Sequence, residues 1–164
     1  GDEGAAGLGQ GLASLAQLGS LNLNLYNNGI GAEGAAGLGR HLASLARLQS
    51  LDLKLNSNDI SDKGAAGLGL GLASLAQLGS LTLNLAANGI GDEGAAGLAQ
   101  GLGRLQRLSS LNFEGGNKLG AAGKEAIRSL RAAVDARRRE EQAAADARRG
   151  EQSSGGGGHE TSSA

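Results

Sequence analysis

"LNLNLYNNGI" at residues 21–30 returns as "LDLKLNSNDI" at 51–60 and as "LTLNLAANGI" at 81–90. Leu, Leu, Leu, Asn and Ile keep their places while the residues between them change. Successive side chains of a strand point to opposite sides, so this alternation predicts a short strand with one buried face. Leu21, Leu23 and Leu25 then belong to a core, and burying one Leu contributes about 1.5–3 kcal/mol. Asn28 stands where the strand ends and the chain bends. Its amide both donates and accepts, so it can satisfy backbone groups inside a stack. The intervening residues face solvent and are free to vary.

The flanking sequence repeats as well. The chain matches itself at a shift of 30 residues, with units beginning at Gly1, Gly31, Ser61 and Gly91. The fourth unit ends "LNFEGGNKLG", loses one residue before Asn117 and has Gly115 where Leu is expected. A shift of 29 then maps Leu98 onto Ile127 and Leu105 onto Val134, which predicts a degraded fifth helix. In the first half of each unit Leu8, Leu12 and Leu15 recur at i, i+4 and i+7, with Ala5 on the same side. That is one face of an amphipathic helix. Asp2, Asp62 and Asp92, near the unit starts, are expected to cap these helices and complement their dipoles. Gly7, Gly9 and Gly11 each cost about 0.5–1 kcal/mol relative to Ala. Such helices are marginal alone and must be held by neighbouring turns, so the end units are expected to fray first. Helix then strand in every unit predicts an α/β solenoid, with a parallel sheet on one side and helices on the other.

Composition agrees. The 164 residues carry a formal net charge of -1, which gives no electrostatic bias toward nucleic acid or membrane. With no Cys, disulfides, thiol catalysis and Cys-ligated zinc are excluded. No apolar run approaches the ~18 residues of a membrane span, and the start "GDEGAAGLG" is not a signal peptide. The repeat begins at once without an initiator Met, so the chain is expected to be the C-terminal part of something longer. Residues 1–134 are expected to hold the repeats, with the degraded fifth helix as a cap. Residues 135–149 are expected to form a polar helical extension and 150–164 a disordered tail. The run "RRREE" at 137–141 reads as a solvated helix with mixed-sign pairs, since a nucleic-acid footprint needs clustered, unneutralised charge.

The phrase "LxLxxNxI" resembles the leucine-rich repeat, in its ribonuclease-inhibitor-like subclass with long helical units. It is carried by Leu23, Leu25, Asn28 and Ile30, by Leu53, Leu55, Asn58 and Ile60, and by Leu83, Leu85, Asn88 and Ile90. The resemblance implies a horseshoe segment with the sheet on its concave face and helices on its convex face. It also implies a ladder of Asn28, Asn58, Asn88 and Asn117 running from turn to turn. Two features depart from the pattern. Ser20, Ser50 and Ser80 replace an apolar residue, and the unit is longer than usual, which is read as a lengthened strand bringing Leu21, Leu51 and Leu81 into the core. The phrase "NxIGDEGA" is also similar to Ran-type GTPase activators, which implies a regulatory alternative, and a fragment of an immune-type sensor is a further one.

Nothing supports catalysis. His41 reads as a helix-surface residue with no second ligand at metal spacing, and His159 lies in the tail. Ser14, Ser44 and Ser74 occupy repeated structural positions. The glycines form neither a P-loop nor a dinucleotide fingerprint. No cofactor or metal is expected. What remains is surface. The outward strand positions are Asn22, Asn24 and Tyr26, then Asp52, Lys54 and Asn56, then Thr82, Asn84 and Ala86, then Asn112 and Glu114. In a parallel stack they form columns on the concave face, about 4.8 Å apart. Tyr26 is the expected anchor, since binding hot spots favour Tyr, Trp and Arg. Leu70 is expected to be exposed on the helical side. The expected function is a non-catalytic scaffold, monomeric and cytoplasmic, that binds another protein and neither nucleic acid nor membrane. The face offers about a dozen side chains, against ~20–30 per side in a specific interface. A partner must therefore engage a longer array or present a small epitope.

Overall fold

The computed structural model describes residues 1–114 and 117–154, with the side chains of 112–114 and 151–154 outside that description. The expectation about Gly115 therefore lies outside it, as do His159 and residues 155–164 of the tail. Helices α1 (Asp2–Ala13), α2 (Ala32–Leu42), α3 (Ser61–Leu72) and α4 (Asp92–Leu102) alternate with strands β1 (Ser20–Asn24), β2 (Ser50–Lys54), β3 (Ser80–Asn84) and β4 (Ser110–Glu114). A long helix, α5 (Ala121–Ser154), follows. The strands form one parallel sheet in the order β1-β2-β3-β4. The chain is an open β/α solenoid of horseshoe type.

The period of 30 appears as an in-phase register: Leu21 pairs with Leu51, Leu51 with Leu81 and Leu81 with Leu111. Leu51, Leu53 and Leu55 are buried, as are Leu81, Leu83 and Leu85. Between the sheet and the helices they meet Ala35, Leu38 and Leu42 of α2 and their counterparts in α3 and α4, in one continuous core. Ile127, Leu130 and Val134 of α5 close it at the far end. Helix α5 runs to Ser154 rather than ending at Arg149, because Glu151 and Gln152 are good helix formers and extend it past Gly150.

The helices end sooner than the leucine spacing suggested. Leu15 lies beyond α1, in a tight turn where Leu15 N–H donates to Leu12 O at 2.8 Å and Leu18 N–H to Leu15 O at 2.9 Å. The same i→i+3 turns carry Leu45 and Leu48, and Leu75 and Leu78, into the core. The leucines at 18, 48, 78 and 108 were not assigned to the core from sequence. Their signal was a spacing of three continuing past the helix.

The aspartates do not cap their own helices; no side-chain cap is present on α1, α3 or α4. Each instead caps the helix one coil further on. Asp2 Oδ1 accepts from Gly31 N–H at 2.6 Å. Asp62 Oδ1 accepts from Gly91 and Gly94 N–H at 2.6 and 3.0 Å. Asp92 Oδ1 accepts from Gly120 and Gly123 N–H at 2.7 and 2.9 Å. An aspartate inside its own first turn lies beside the next helix's N-terminus, where unpaired N–H groups and the positive dipole end meet it.

The turns after the strands hold the asparagines. Asn58 Nδ2 donates to Leu25 O and Leu55 O, and its Oδ1 accepts from Asn28 and Ile30 N–H, all within 2.8–3.0 Å. Asn88 repeats the pattern on Leu55 O and Leu85 O, and Asn117 reaches back to Leu85 O. Asn28, on the first coil, is exposed and its amide donates only to Tyr26 O. Leaving buried backbone groups unpaired costs about 1–3 kcal/mol each. Asn88→Ala is therefore expected to lower unfolding free energy by about 3 kcal/mol and Asn28→Ala by under about 1 kcal/mol, measured by urea denaturation. The first helix, with Leu8 36% exposed, is expected to exchange its amide hydrogens at least about tenfold faster than α3. Equal rates would contradict the stacking account.

Candidate interaction face

The residues between the core leucines form in-register columns. Asn22 pairs with Asp52, Asp52 with Thr82 and Thr82 with Asn112. Asn24, Lys54, Asn84 and Glu114 form the next column. Alternation with buried leucines sets Asn22, Asn24, Asp52, Lys54, Thr82 and Asn84 on the sheet face away from the helices. Asn22 Nδ2 donates to Asp52 Oδ2 at 3.1 Å, bridging two coils. Asp52 Oδ1 is buried and has no hydrogen-bond partner among the described residues. Lys54 is exposed, and Thr82 and Asn84 are half-buried.

Tyr26, Asn56 and Ala86 lie past the strands, in the turns. Asn24 Oδ1 accepts from Tyr26 N–H at 3.0 Å, and Asn84 Oδ1 does the same for Ala86 N–H. Short polar side chains that bond their own backbone two residues on produce such turns. Tyr26 thus stands at the rim of the sheet face, 55% exposed. Asn24 and Asn84 thus commit their carbonyl oxygens to the local turn.

One feature beside this face was missed. Ser50 and Ser80 open their strands two residues before Asp52 and Thr82, so they continue the same outward column set. With Ser110, Gln77, Arg107 and Glu141 they line a polar groove of ≈ 540 Å³ where the strands begin. The signal was the period-two alternation extended backward; reading the serines only as departures from an apolar position hid it. Arg107 is oriented by Gln77, whose Oε1 accepts from its Nη1.

The other surfaces are plainer. On the convex side Leu70 is 62% exposed. It stands between two shallow hollows of ≈ 340 and ≈ 260 Å³ lined by alanines and glycines, with Arg40 and Arg104 at their outer edges. His41 is half-buried rather than a free surface residue: a Cβ at Gly9 would come within 3.0 Å of its Cβ. Its imidazole spaces α2 from α1. Arg137, the first residue of the basic run, is also half-buried. Its guanidinium donates to Leu105 O at 2.9 Å and Gly103 O at 3.1 Å, closing the turn that ends α4. Among the described residues no group of three His, Asp or Glu is placed to hold a metal ion. No described helix is long and apolar enough to cross a membrane.

No family model and no curated protein matches the sequence. Among solved structures, the actin-binding site 2 of leiomodin-1 is similar, with a TM-score of 0.57 and 16% identity over 86% of this chain and 95% of that one. At that identity the likeness shows the fold alone.

One exposed ion pair spans coils: Lys63 Nζ lies 2.6 Å from Glu33 Oε1. The hydrogen bond from Lys63, then its charge, holds the Glu33 carboxyl below its ordinary pKa, and the same bond raises Lys63. Glu33's contribution is full above the ordinary carboxylate pKa and is lost as pH falls through the lowered value. That of Lys63 is full below the ordinary lysine pKa and is lost as pH rises through the raised value. Glu33→Gln is expected to return the Lys63 pKa downward toward normal in an NMR titration, with little change in stability, as is usual for exposed pairs.

Proposed function

We propose that the chain is a non-catalytic scaffold of the leucine-rich-repeat kind, in its ribonuclease-inhibitor-like form, that binds another protein through the concave sheet face. The observation that carries this reading is the set of in-register polar columns on the sheet face turned away from the core. Asn22, Asp52 and Thr82 stand in register across three strands, Asn22 donating to Asp52, while the leucines between them turn to the core on the opposite face. The alternating "LxLxxNxI" frame and the asparagine ladder support the family assignment. The similar solved structure is an actin-binding site of leiomodin-1, a protein-binding role on a comparable fold; it does not bring actin to this chain.

Tyr26 supplies the anchor at the rim, Asp52 and Lys54 supply charge of both signs, and Asn22, Asn56 and Thr82 supply adaptable hydrogen bonds. Asn112 and Glu114 would extend the columns onto the fourth coil. Rigid aromatic anchors dominate interface energetics, and the polar ring fixes register. A variant carrying Tyr26→Ala, Asp52→Ala and Lys54→Ala is expected to keep its circular dichroism and lose about 2 kcal/mol or more of binding, roughly thirtyfold in Kd. Partners are captured by chemical cross-linking and titrated on the purified chain. Leu70→Gln, on the opposite face, is expected to leave binding unchanged. The reverse outcome would move the site to the convex face.

A further inference from the structure

The leading face of the first coil is apolar and uncovered. Leu8 and Leu15 are 36% and 48% exposed, whereas their counterparts Leu38 and Leu45 are at 0%. Leu15 and Leu18 line an apolar hollow of ≈ 430 Å³. Leu21, Leu23 and Leu25 are only half-buried, and β1 has a neighbour on one side alone. Exposed apolar surface of this extent beside an open strand edge marks a docking surface.

What covers the equivalent face is visible three times over in the same molecule. The third and fourth coils are each seated on the one before through three glycines with no room for a side chain, and the second through Gly34, where a Cβ would lie 2.8 Å from Asp2 Cα. A Cβ at Gly94 would lie 2.6 Å from Asp62 Cα, one at Gly97 2.6 Å from Ala66 Cβ, and one at Gly101 2.2 Å from Gly69 O. The first coil has glycine at the same three positions, Gly4, Gly7 and Gly11. A Cβ at any of these would meet nothing within 4 Å. Nothing in the chain requires glycine there, and each one weakens α1. The asparagine ladder ends in the same way. Asn58, Asn88 and Asn117 each donate to a carbonyl of the preceding coil, and Asn28 has none to reach.

We propose that this face is the seat of one further thirty-residue β/α coil, joined in phase ahead of Gly1. The vacant contacts specify its chemistry. It carries Asp at its second position, to accept from the amides of Gly1 and Gly4 as Asp62 does from Gly91 and Gly94. It carries Ala at its sixth position against Gly7 and Gly at its ninth against Gly11. It ends its strand with a leucine carbonyl for Asn28. The junction is already in register: Gly1 N donates to Asn28 O at 2.6 Å, the bond that Ser61 N makes to Asn88 O at 2.9 Å inside the stack. A second copy of the chain does not offer such a surface. The trailing faces of its inner coils are covered by the next coil, and the last lies under α5, held by Asp92 on Gly120 and Gly123.

The test joins a copy of residues 61–90, which contain Asp62, Ala66, Gly69 and Leu85, ahead of Gly1 of the full chain. It is made with and without the triple substitution Gly4→Ala, Gly7→Ala and Gly11→Ala. In the unextended chain the triple substitution is expected to raise Tm, since the space beside each glycine is open; this also shows that the variant folds. In the extended chain the added coil is expected to slow amide exchange across α1 by about tenfold or more, and the triple substitution to abolish that slowing. The sign of one set of substitutions thus inverts with the context. Slowing that survives the substitutions, an added coil that leaves α1 exchange unchanged, or a triple substitution that lowers Tm in the unextended chain would overturn the proposal. So would concentration-dependent dimers of the unextended chain that the substitutions abolish, since these would assign the face to a second copy. None of these readouts involves the concave face, so they stand apart from the binding proposal.

Discussion

Everything in this fold follows from how close one coil lies to the next. A Cβ at Gly71 would sit 2.2 Å from the Gly39 carbonyl carbon, where ordinary contact begins at 3.4 Å. A methyl group there would push the helices apart by about an ångström, and hydrogen bonds weaken steeply over such a distance. The asparagine ladder lives at that margin. Asn88 Nδ2 reaches two carbonyls on successive coils at 2.9 and 3.0 Å. So does the aspartate cap, in which one carboxylate oxygen of Asp62 serves two amides of the following coil. Glycine against backbone, asparagine across the turns and aspartate across the helix starts are three expressions of one separation.

That separation also decides where a surface can be spared. The leucines fill the space between sheet and helices, and the small residues of the helices are spent on neighbouring coils. Among the described surfaces the outer face of the sheet carries the least structural duty, and it is filled with short hydrogen-bonding side chains: Ser50, Asp52, Thr82. Their variation from coil to coil costs the fold nothing, which is the physical condition for a surface that can be shaped to a partner. The convex side lacks that freedom. His41, in place of the glycine at 71 and 101, already spaces α1 from α2: a Cβ at Gly37 would lie 3.9 Å from Ala6 Cβ, where one at Gly67 would lie 2.6 Å from Ala36 Cβ.

The architecture was legible because two periodicities alternate within each unit and neither can be satisfied by the other's geometry. Leu51 and Leu53 could only be a strand's inner face, and Leu38 and Leu42 only a helix's. The asparagine ladder was legible through the resemblance, which names a partner one turn away. The aspartate caps were misassigned for the opposite reason. Asp62 stands at a helix start, and sequence offers only its own helix as a recipient; the true recipients, Gly91 and Gly94, become neighbours only once the coils stack. Arg137 was read as solvated for the same reason, since the carbonyls it closes, of Gly103 and Leu105, lie more than thirty residues earlier. The concave columns were legible from alternation alone, but alternation stops where the strand stops. Tyr26, counted as a strand residue, is in fact placed by the Asn24 side chain in the turn beyond.

In a stack of this kind energy resides at the interfaces between coils more than within them, and the two ends of the chain differ in that respect. At the far end α5 covers the fourth coil with Leu130 and Val134 and a guanidinium on its last turn. At the near end the first coil shows an interior surface to solvent. Tyr26 belongs to this least supported coil, held on one side only: Leu25 N–H and Asn27 N–H donate to Lys54 O and Asn56 O of the second coil, with nothing opposite. The anchor proposed at Tyr26 would lose more conformational entropy on binding from a coil held on one side than from one held on both. A coil seated on Leu8, Leu15 and β1 would remove that loss in advance, without touching the sheet face. Stacking at the leading face and recognition at the concave face would then be thermodynamically coupled through the rigidity of one turn, the one in which Asn24 bonds Tyr26 and Tyr26 O accepts from Asn28.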